Sequence, residues 1–218
     1  MNTVKNALEK IQGINYLAAS LDRELPDIIA TTAEKTPNYW QIPCTHIYHP
    51  PASENEIKEL RNGLNQDISW ELIALLQVTN GAELFRVHYY LDEALGYRIP
   101  RYKILNCTEL FHVNKDLLEQ YRSYAEYDKT LRDKIETLKL DYLVFCDVGD
   151  GNFLAFNLSL IPFQPIFYYN HEYGPYPYAE NILSQEGYPL VANSLQDWLE
   201  RLIQTNGRDG LGGQFIPF

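Results

Sequence analysis

Two apolar runs, Tyr142-Leu-Val-Phe-Cys146 and Phe153-Leu-Ala-Phe156, flank the turn-forming segment Asp147-Val-Gly-Asp-Gly-Asn152. Aromatic and β-branched side chains favour the pleated strand, and a Gly/Asp turn between two such runs predicts a β-hairpin. Pro165-Ile-Phe-Tyr-Tyr169 reads as a third strand of the same group.

Helical signals surround this hairpin. Ser53-Glu-Asn-Glu56 is a capping box, in which the serine oxygen accepts the Glu56 amide and the glutamate reaches back to the serine amide. Ile57, Leu60 and Leu64 then mark one buried face. A second helix is expected from Ser69, with Leu72, Ile73, Leu76 and Thr79 inward, closing on Asn80-Gly81. Glu83 to Leu91 and Arg101 to Leu105 read as strands around a Gly96/Pro100 turn. From Asn114, the stripe Leu117, Tyr121, Tyr124, Leu131, Ile135 and Leu138 predicts a helical insert near 114–138, one helix or two broken near Asp128. Ser194 caps a last helix with Asp197 at its third position and Leu195, Trp198, Leu199, Leu202 and Ile203 on one stripe; Asn206-Gly207 stops it. Residues 1–43, where Val4, Leu8 and Ile11 keep helical spacing, read as a helical extension, and 207–218, with four glycines, as a flexible tail. Helices, then strands, then a helix argue a single α+β domain over 44–206.

The chain has 218 residues, 45% hydrophobic and 22% charged, an ordinary globular composition. Folding a chain of this length hides about 70% of its surface, so no metal or disulfide is needed to hold it together. The net charge of −11 makes nucleic acid and anionic membrane poor partners. No run approaches the ~18 apolar residues of a spanning helix. Cys44, Cys107 and Cys146, odd in number and widely spaced, suit a reducing compartment, and the expectation is a cytoplasmic protein.

Catalytic signatures are sparse. Neither G-x-x-x-x-G-K-[ST] nor G-x-G-x-x-G nor G-x-S-x-G occurs, and His171-Glu172 lacks the second histidine of a zincin helix. Cys44, His46 and His49 are a metal-like cluster, set against the alternation of an extended segment, which turns neighbouring side chains to opposite faces. Asp147, Asp150 and Asn152 offer oxygen donors for calcium, yet their spacing does not match the calcium loop and the same residues suit tight turns. No cofactor and no metal are expected. A hydrolase-type enzyme would have to be assembled from Asp147, Asp150, His171 and Glu172.

Charge distribution is the strongest remaining feature. Leu140 to Glu200 holds eight acidic residues and no lysine or arginine, together with seven of the chain's seventeen tyrosines. Tyrosine gives rigid contact area with a hydroxyl, and an acidic surface draws a basic partner. Gly174, Pro175, Pro177, Gly187 and Pro189 break up 168–188, so much of it is expected to be surface loop. The candidate binding face is therefore Asp147, Asp150, Tyr168, Tyr169, His171, Glu172, Tyr173, Tyr176, Tyr178, Glu180 and Glu186, directed at a basic protein. The competing expectation is that half the tyrosines are core and the acids a solvated face.

In order along the chain, Pro51-Ala-Ser-Glu-Asn-Glu-Ile57, Ser69-Trp70, Asn80-Gly81, Gly149-Asp-Gly-Asn-Phe-Leu-Ala-Phe-Asn157, Tyr169-Asn-His-Glu172 and Asn193-Ser-Leu-Gln-Asp-Trp-Leu199 resemble the SMI/KNR family of the SUKH superfamily, over roughly 44 to 205. The resemblance implies a sheet backed by helices, and binding rather than catalysis. Bacterial relatives are largely immunity proteins that neutralise toxins, and fungal relatives regulate cell-wall synthesis through protein contacts. The function expected is thus a non-enzymatic, immunity-type domain that neutralises a basic, nuclease-like toxin, with a regulatory interaction module as the alternative. The N-terminal extension, the 114–138 insert and the tail depart from the family pattern.

Overall fold

The computed structural model describes residues 2–19, 21, 25, 27–64, 68–87, 102–127, 139–149, 151–159, 164–171 and 189–211. Among these, the order is α1 (Asn2–Gln12), β1 (Tyr16–Ala19), α2 (Asp27–Ala30), β2 (Glu34–Lys35), β3 (Trp40–Tyr48), α3 (Glu54–Leu64), α4 (Trp70–Leu76), β4 (Ala82–Val87), β5 (Tyr102–Ile104), α5 (Cys107–Ala125), β6 (Tyr142–Gly149), β7 (Asn152–Asn157), β8 (Ile166–Tyr169), β9 (Leu190–Ala192) and α6 (Leu195–Gln204). The strands form one nine-stranded sheet in the order β1-β3-β4-β5-β6-β7-β8-β9, with β2 also on β3. The described pairings are antiparallel. The fold is α+β.

The predicted hairpin is β6–β7, and β8 lies beside it. Its strands do not alternate: Tyr142 to Cys146, Leu154 to Phe156 and all of β8 are buried. Successive strand residues face opposite ways, so these strands are covered on both faces. From α6, Trp198 meets Phe145 edge-to-face at 5.6 Å and Tyr102 at 6.0 Å.

Burial on both faces leaves backbone groups dependent on partners other than water. The last bond on this side of β6 comes from the Leu105 amide to the Phe145 carbonyl at 2.9 Å, and beyond it Asn114 of α5 takes over. Its Oδ1 accepts the Val144 amide at 2.9 Å, and its Nδ2 donates to the Val144 and Leu110 carbonyls at 2.9 Å each. The carboxamide replaces one residue of a neighbouring strand where β6 bulges between Val144 and Cys146.

Caps follow the sequence in most places. Ser53 and Glu56 exchange both capping-box bonds, at 2.7 and 3.2 Å. Ser194 accepts the Asp197 amide at 3.0 Å. The end of α6 is a Schellman motif: Gly207 N–H donates to Leu202 and Asn206 N–H to Ile203, with Asn206 left-handed at φ 46°. Ser69 does precede α4, but its hydroxyl makes no cap bond. Gly81 at φ 96° does not cap α4, which ends at Leu76 with Gln77 as C-cap; it turns the chain into β4. The insert helix starts earlier than its stripe suggests, at Cys107, and residues 128–138, over which one helix or two were both expected, lie outside the described residues. Buried Glu71 accepts the Leu195 amide at 3.1 Å, placing a carboxylate at the positive end of α6.

The first forty residues are more than a helical extension. After α1 they contribute β1 and β2 to the sheet, and α1 packs on α6 and α4. Gly207 to Leu211 are docked rather than loose. Tyr102 Oη donates to the Gly207 carbonyl and Trp198 Nε1 to that of Gly210, both at 2.8 Å, and a Cβ at Gly210 would stand 2.5 Å from Tyr102.

His46 ties the N-terminal segment to the sheet. Its Nδ1 accepts the Phe85 amide at 3.0 Å, so Nε2 carries the proton and donates to the Ile14 carbonyl at 2.9 Å. Phe85 is the extra β4 residue of a bulge and is left-handed at φ 53°, so its amide has left the ladder and needs this acceptor.

Two outcomes are expected. Asn114→Ala strands two buried backbone groups of Val144 and should cost about 2–4 kcal/mol in urea unfolding. Burial holds the His46 imidazole below its ordinary value of 6.5. The unfolded chain therefore takes up this proton first as pH falls below 6.5, and stability drops until the folded imidazole titrates. Urea midpoints measured between neutral pH and pH ~5 should show this slope, flattened in His46→Gln.

Candidate functional site

The tip of the β6–β7 hairpin and the end of β8 make a single structured surface. Gly149 and Gly151 turn the chain at φ 102° and 73°. Asp147 Oδ1 accepts the Gly149 amide at 2.8 Å, which is the turn role of this residue and not a cation ligand set. Buried Asn152 accepts from the His171 amide at 3.1 Å and lies 3.0 Å from His171 Nδ1. Oδ1 is acceptor only, so Nδ1 carries the proton and Nε2 keeps its lone pair. The Gly151 backbone lies against the ring, and a Cβ there would come within 3.3 Å of His171 Cγ. His171 is thus an exposed imidazole fixed in tautomer and direction by a neutral carboxamide.

The tyrosines of this group answer differently. Tyr168 and Tyr169 were expected on the binding face; both are 2% exposed and belong to the core. The cause is the position of β8 between β7 and β9, with both of its faces covered. Tyr169 packs on Tyr142 at 5.5 Å and on Phe153 at 6.2 Å, and burial raises its phenol pKa. Asp150, Glu172, Tyr173, Tyr176, Tyr178, Glu180 and Glu186 lie outside the described residues.

The described acids of 140–200 do not form one patch. Asp141 and Asp147 sit at opposite ends of β6, about 20 Å apart at the rise of a strand. Asp197 is occupied by the Asn193 amide and lies 3.9 Å from Arg201. Glu200 accepts from Gln196. Among the described residues, the sequence-predicted site residues left at or near the surface are half-buried Asp147 and exposed His171, both toward the hairpin end.

Elsewhere, the Cys44–His46–His49 cluster gives no metal centre. Both His46 nitrogens are spent on Ile14 and Phe85, and burial pushes the Cys44 thiol up to about 12. Among the described residues no group of three His, Cys, Asp or Glu is placed to hold a metal ion. No described helix is long and apolar enough to cross a membrane.

Asn152 is the site residue that sequence reasoning missed as an orienting group. Its only signal was position, the last residue of a Gly/Asp turn that also opens a strand.

The model of the SMI1 / KNR4 family (SUKH-1) matches residues 51–201. The chain belongs to this family. A search of curated proteins returned no match. The SUKH-1 match takes in α3 through β9, most of α6 and the whole hairpin tip, while α1 to β3 precede it.

Asn152→Ala should free the ring without unfolding the SUKH-1 domain. The expected readout is a shift of His171 from the Nδ1–H toward the Nε2–H tautomer in its ring ¹⁵N spectrum; an unchanged tautomer would count against this orientation.

Proposed function

We propose that this SUKH-1 chain is a non-enzymatic, cytoplasmic protein-binding domain of the immunity type, which neutralises a basic toxin of the nucleic-acid-cleaving class. The observation that carries the reading is the charge of the family-matched segment. Leu140 to Glu200 has eight acids and no lysine or arginine, and five of those acids fall in the hairpin turn segment or in the sequence that follows His171 as far as Glu186. Toxins that act on nucleic acid carry cationic surfaces, and an acidic face accelerates their capture while repelling the nucleic acid itself. The binding group proposed is Asp147 and His171, with Asp150, Glu172, Tyr173, Tyr176, Tyr178, Glu180 and Glu186 extending it. Tyr168 and Tyr169 act from beneath by holding β8 in place.

The hydrogen bonding around His171 favours binding over catalysis. The group that orients the imidazole is a neutral amide, and the Asp147 Oδ1 accepts from the Gly149 amide of its own turn, so among the described residues no carboxylate is hydrogen-bonded to the ring as in an acid–base pair.

Affinity capture from the native host with the full chain tests the proposal. The expected partner is a basic protein, retained at low salt, whose toxicity in co-expression this chain suppresses. Replacing Glu172, Glu180 and Glu186 with lysine should weaken its association by about 10- to 100-fold and reduce the salt dependence. A partner held equally well by the triple variant, or one without excess lysine and arginine, overturns the reading in favour of a regulatory module.

A further inference from the structure

Helix α3 and the first turns of α5 meet where Gly63 faces Phe111. A Cβ at position 63 would stand 2.7 Å from the Phe111 ring, so only glycine permits the approach. Beside this contact the two helices enclose a groove of about 290 Å³. Glu56, Glu59, Leu60 and Gly63 form its α3 wall, the three-, four- and seven-residue spacing of one helical face, and Cys107 and Phe111 form part of the α5 wall.

The charges in this lining are both negative, and both are held in place by neutral donors. Glu56 Oε2 takes the Ser53 amide and hydroxyl at 2.7 Å each, and Oε1 takes Asn80 Nδ2 at 3.0 Å. Glu59 accepts from Asn55 at 2.8 Å. Among the described residues neither has a lysine or arginine partner. The floor between them is uncharged: Leu60 is buried, Phe111 half-buried, and the Cys107 thiol, pushed up to about 11 by burial first and by Glu56 second, stays protonated. Phe111 already accepts a cation, since Lys115 Nζ lies 5.7 Å from its ring centroid.

We infer that this groove takes an arginine side chain of a basic protein partner, its guanidinium between Glu56 and Glu59 and its carbon stem along Leu60 and Phe111. Two fixed carboxylates match the planar fork of a guanidinium, and the apolar floor matches the stem. The inference rests on the basic-partner reading above and adds a second contact to it. The groove and the hairpin tip lie toward opposite ends of β6. Lys103 pairs with Asp147 and Ile104 with Cys146, so the chain runs away from the tip as it enters α5.

Titration of the ¹⁵N-labelled full chain with acetyl-Gly-Arg-Gly-amide tests it, with acetyl-Gly-Glu-Gly-amide as comparison. The arginine peptide should give saturable shifts at the amides of Glu59, Leu60, Gly63, Cys107 and Phe111, diminished by salt. Glu59→Gln should weaken binding about three- to five-fold, the size of one surface ion pair. Glu54→Gln, which removes the same charge from α3 outside the groove, should leave it unchanged. Shifts scattered over the acidic surface, an equal effect of Glu54→Gln, or no saturable shift would overturn the inference. Shifts confined to 147–171 would overturn it while leaving the basic-partner reading standing. A response in the groove alongside a captured partner that is not basic would support the groove and sink that reading.

Discussion

Away from the hairpin tip, strands β6, β7 and β8 are buried on both faces over Tyr142–Cys146, Leu154–Phe156 and Ile166–Tyr169, and this double burial governs the surrounding structure. A backbone amide inside such a layer must find a partner within the protein or cost the fold a full desolvation penalty. Where the β5 ladder stops, Asn114 reaches in from α5 and supplies both a donor and an acceptor to Val144. Where β4 bulges, His46 supplies the acceptor for the displaced Phe85 amide. Trp198, Phe145, Tyr102 and Phe156 then fill one side with aromatic edges and faces. The helices are positioned by these demands as much as by their own apolar stripes.

Much of this was legible in the chain's short-range chemistry. Capping boxes depend on residues three apart, so Ser53/Glu56 and Ser194/Asp197 could be read directly, and the Gly/Asp turn announced the hairpin. The errors came where long-range packing decides. Tyr168 and Tyr169 look like surface residues because a phenol is compatible with water, yet an interior strand has no surface to give them. Ser69 sits where a cap belongs and leaves its hydroxyl unused. Phe85 adopts a left-handed backbone that nothing about phenylalanine foretells; it sits at a bulge whose displaced amide is satisfied by a histidine thirty-nine residues away. The strands β1 and β2 were hidden among helix-like spacing because they are short and borrow their order from β3.

For the candidate site, the sequence located the hairpin end and its histidine but not what directs the ring. The SMI1 / KNR4 family match takes in β4 to β9 and the helices α3, α4, α5 and most of α6, while β1, β2 and β3 lie before it. It says nothing of the two fixed glutamates of α3 that line a groove beside α5, where a glycine–phenylalanine contact that pattern reading passes over brings the helices together. The domain thus carries negative charge in two places with different construction: a hairpin tip with an oriented imidazole, and a groove with an apolar floor.

The strand β1 and the turn after α6 are joined directly. Ala18 N–H donates to the Asn206 carbonyl at 2.9 Å, and Asn206 Nδ2 to Tyr16 Oη at 2.7 Å across 190 positions of sequence. During synthesis on the ribosome, β1 can pair with β3 early, but this side of it stays bare until the turn beyond α6 has emerged. Completion of the fold is therefore a late, non-local closure. Until then, an unpaired sheet edge stands open to the neighbouring chains of a polysome.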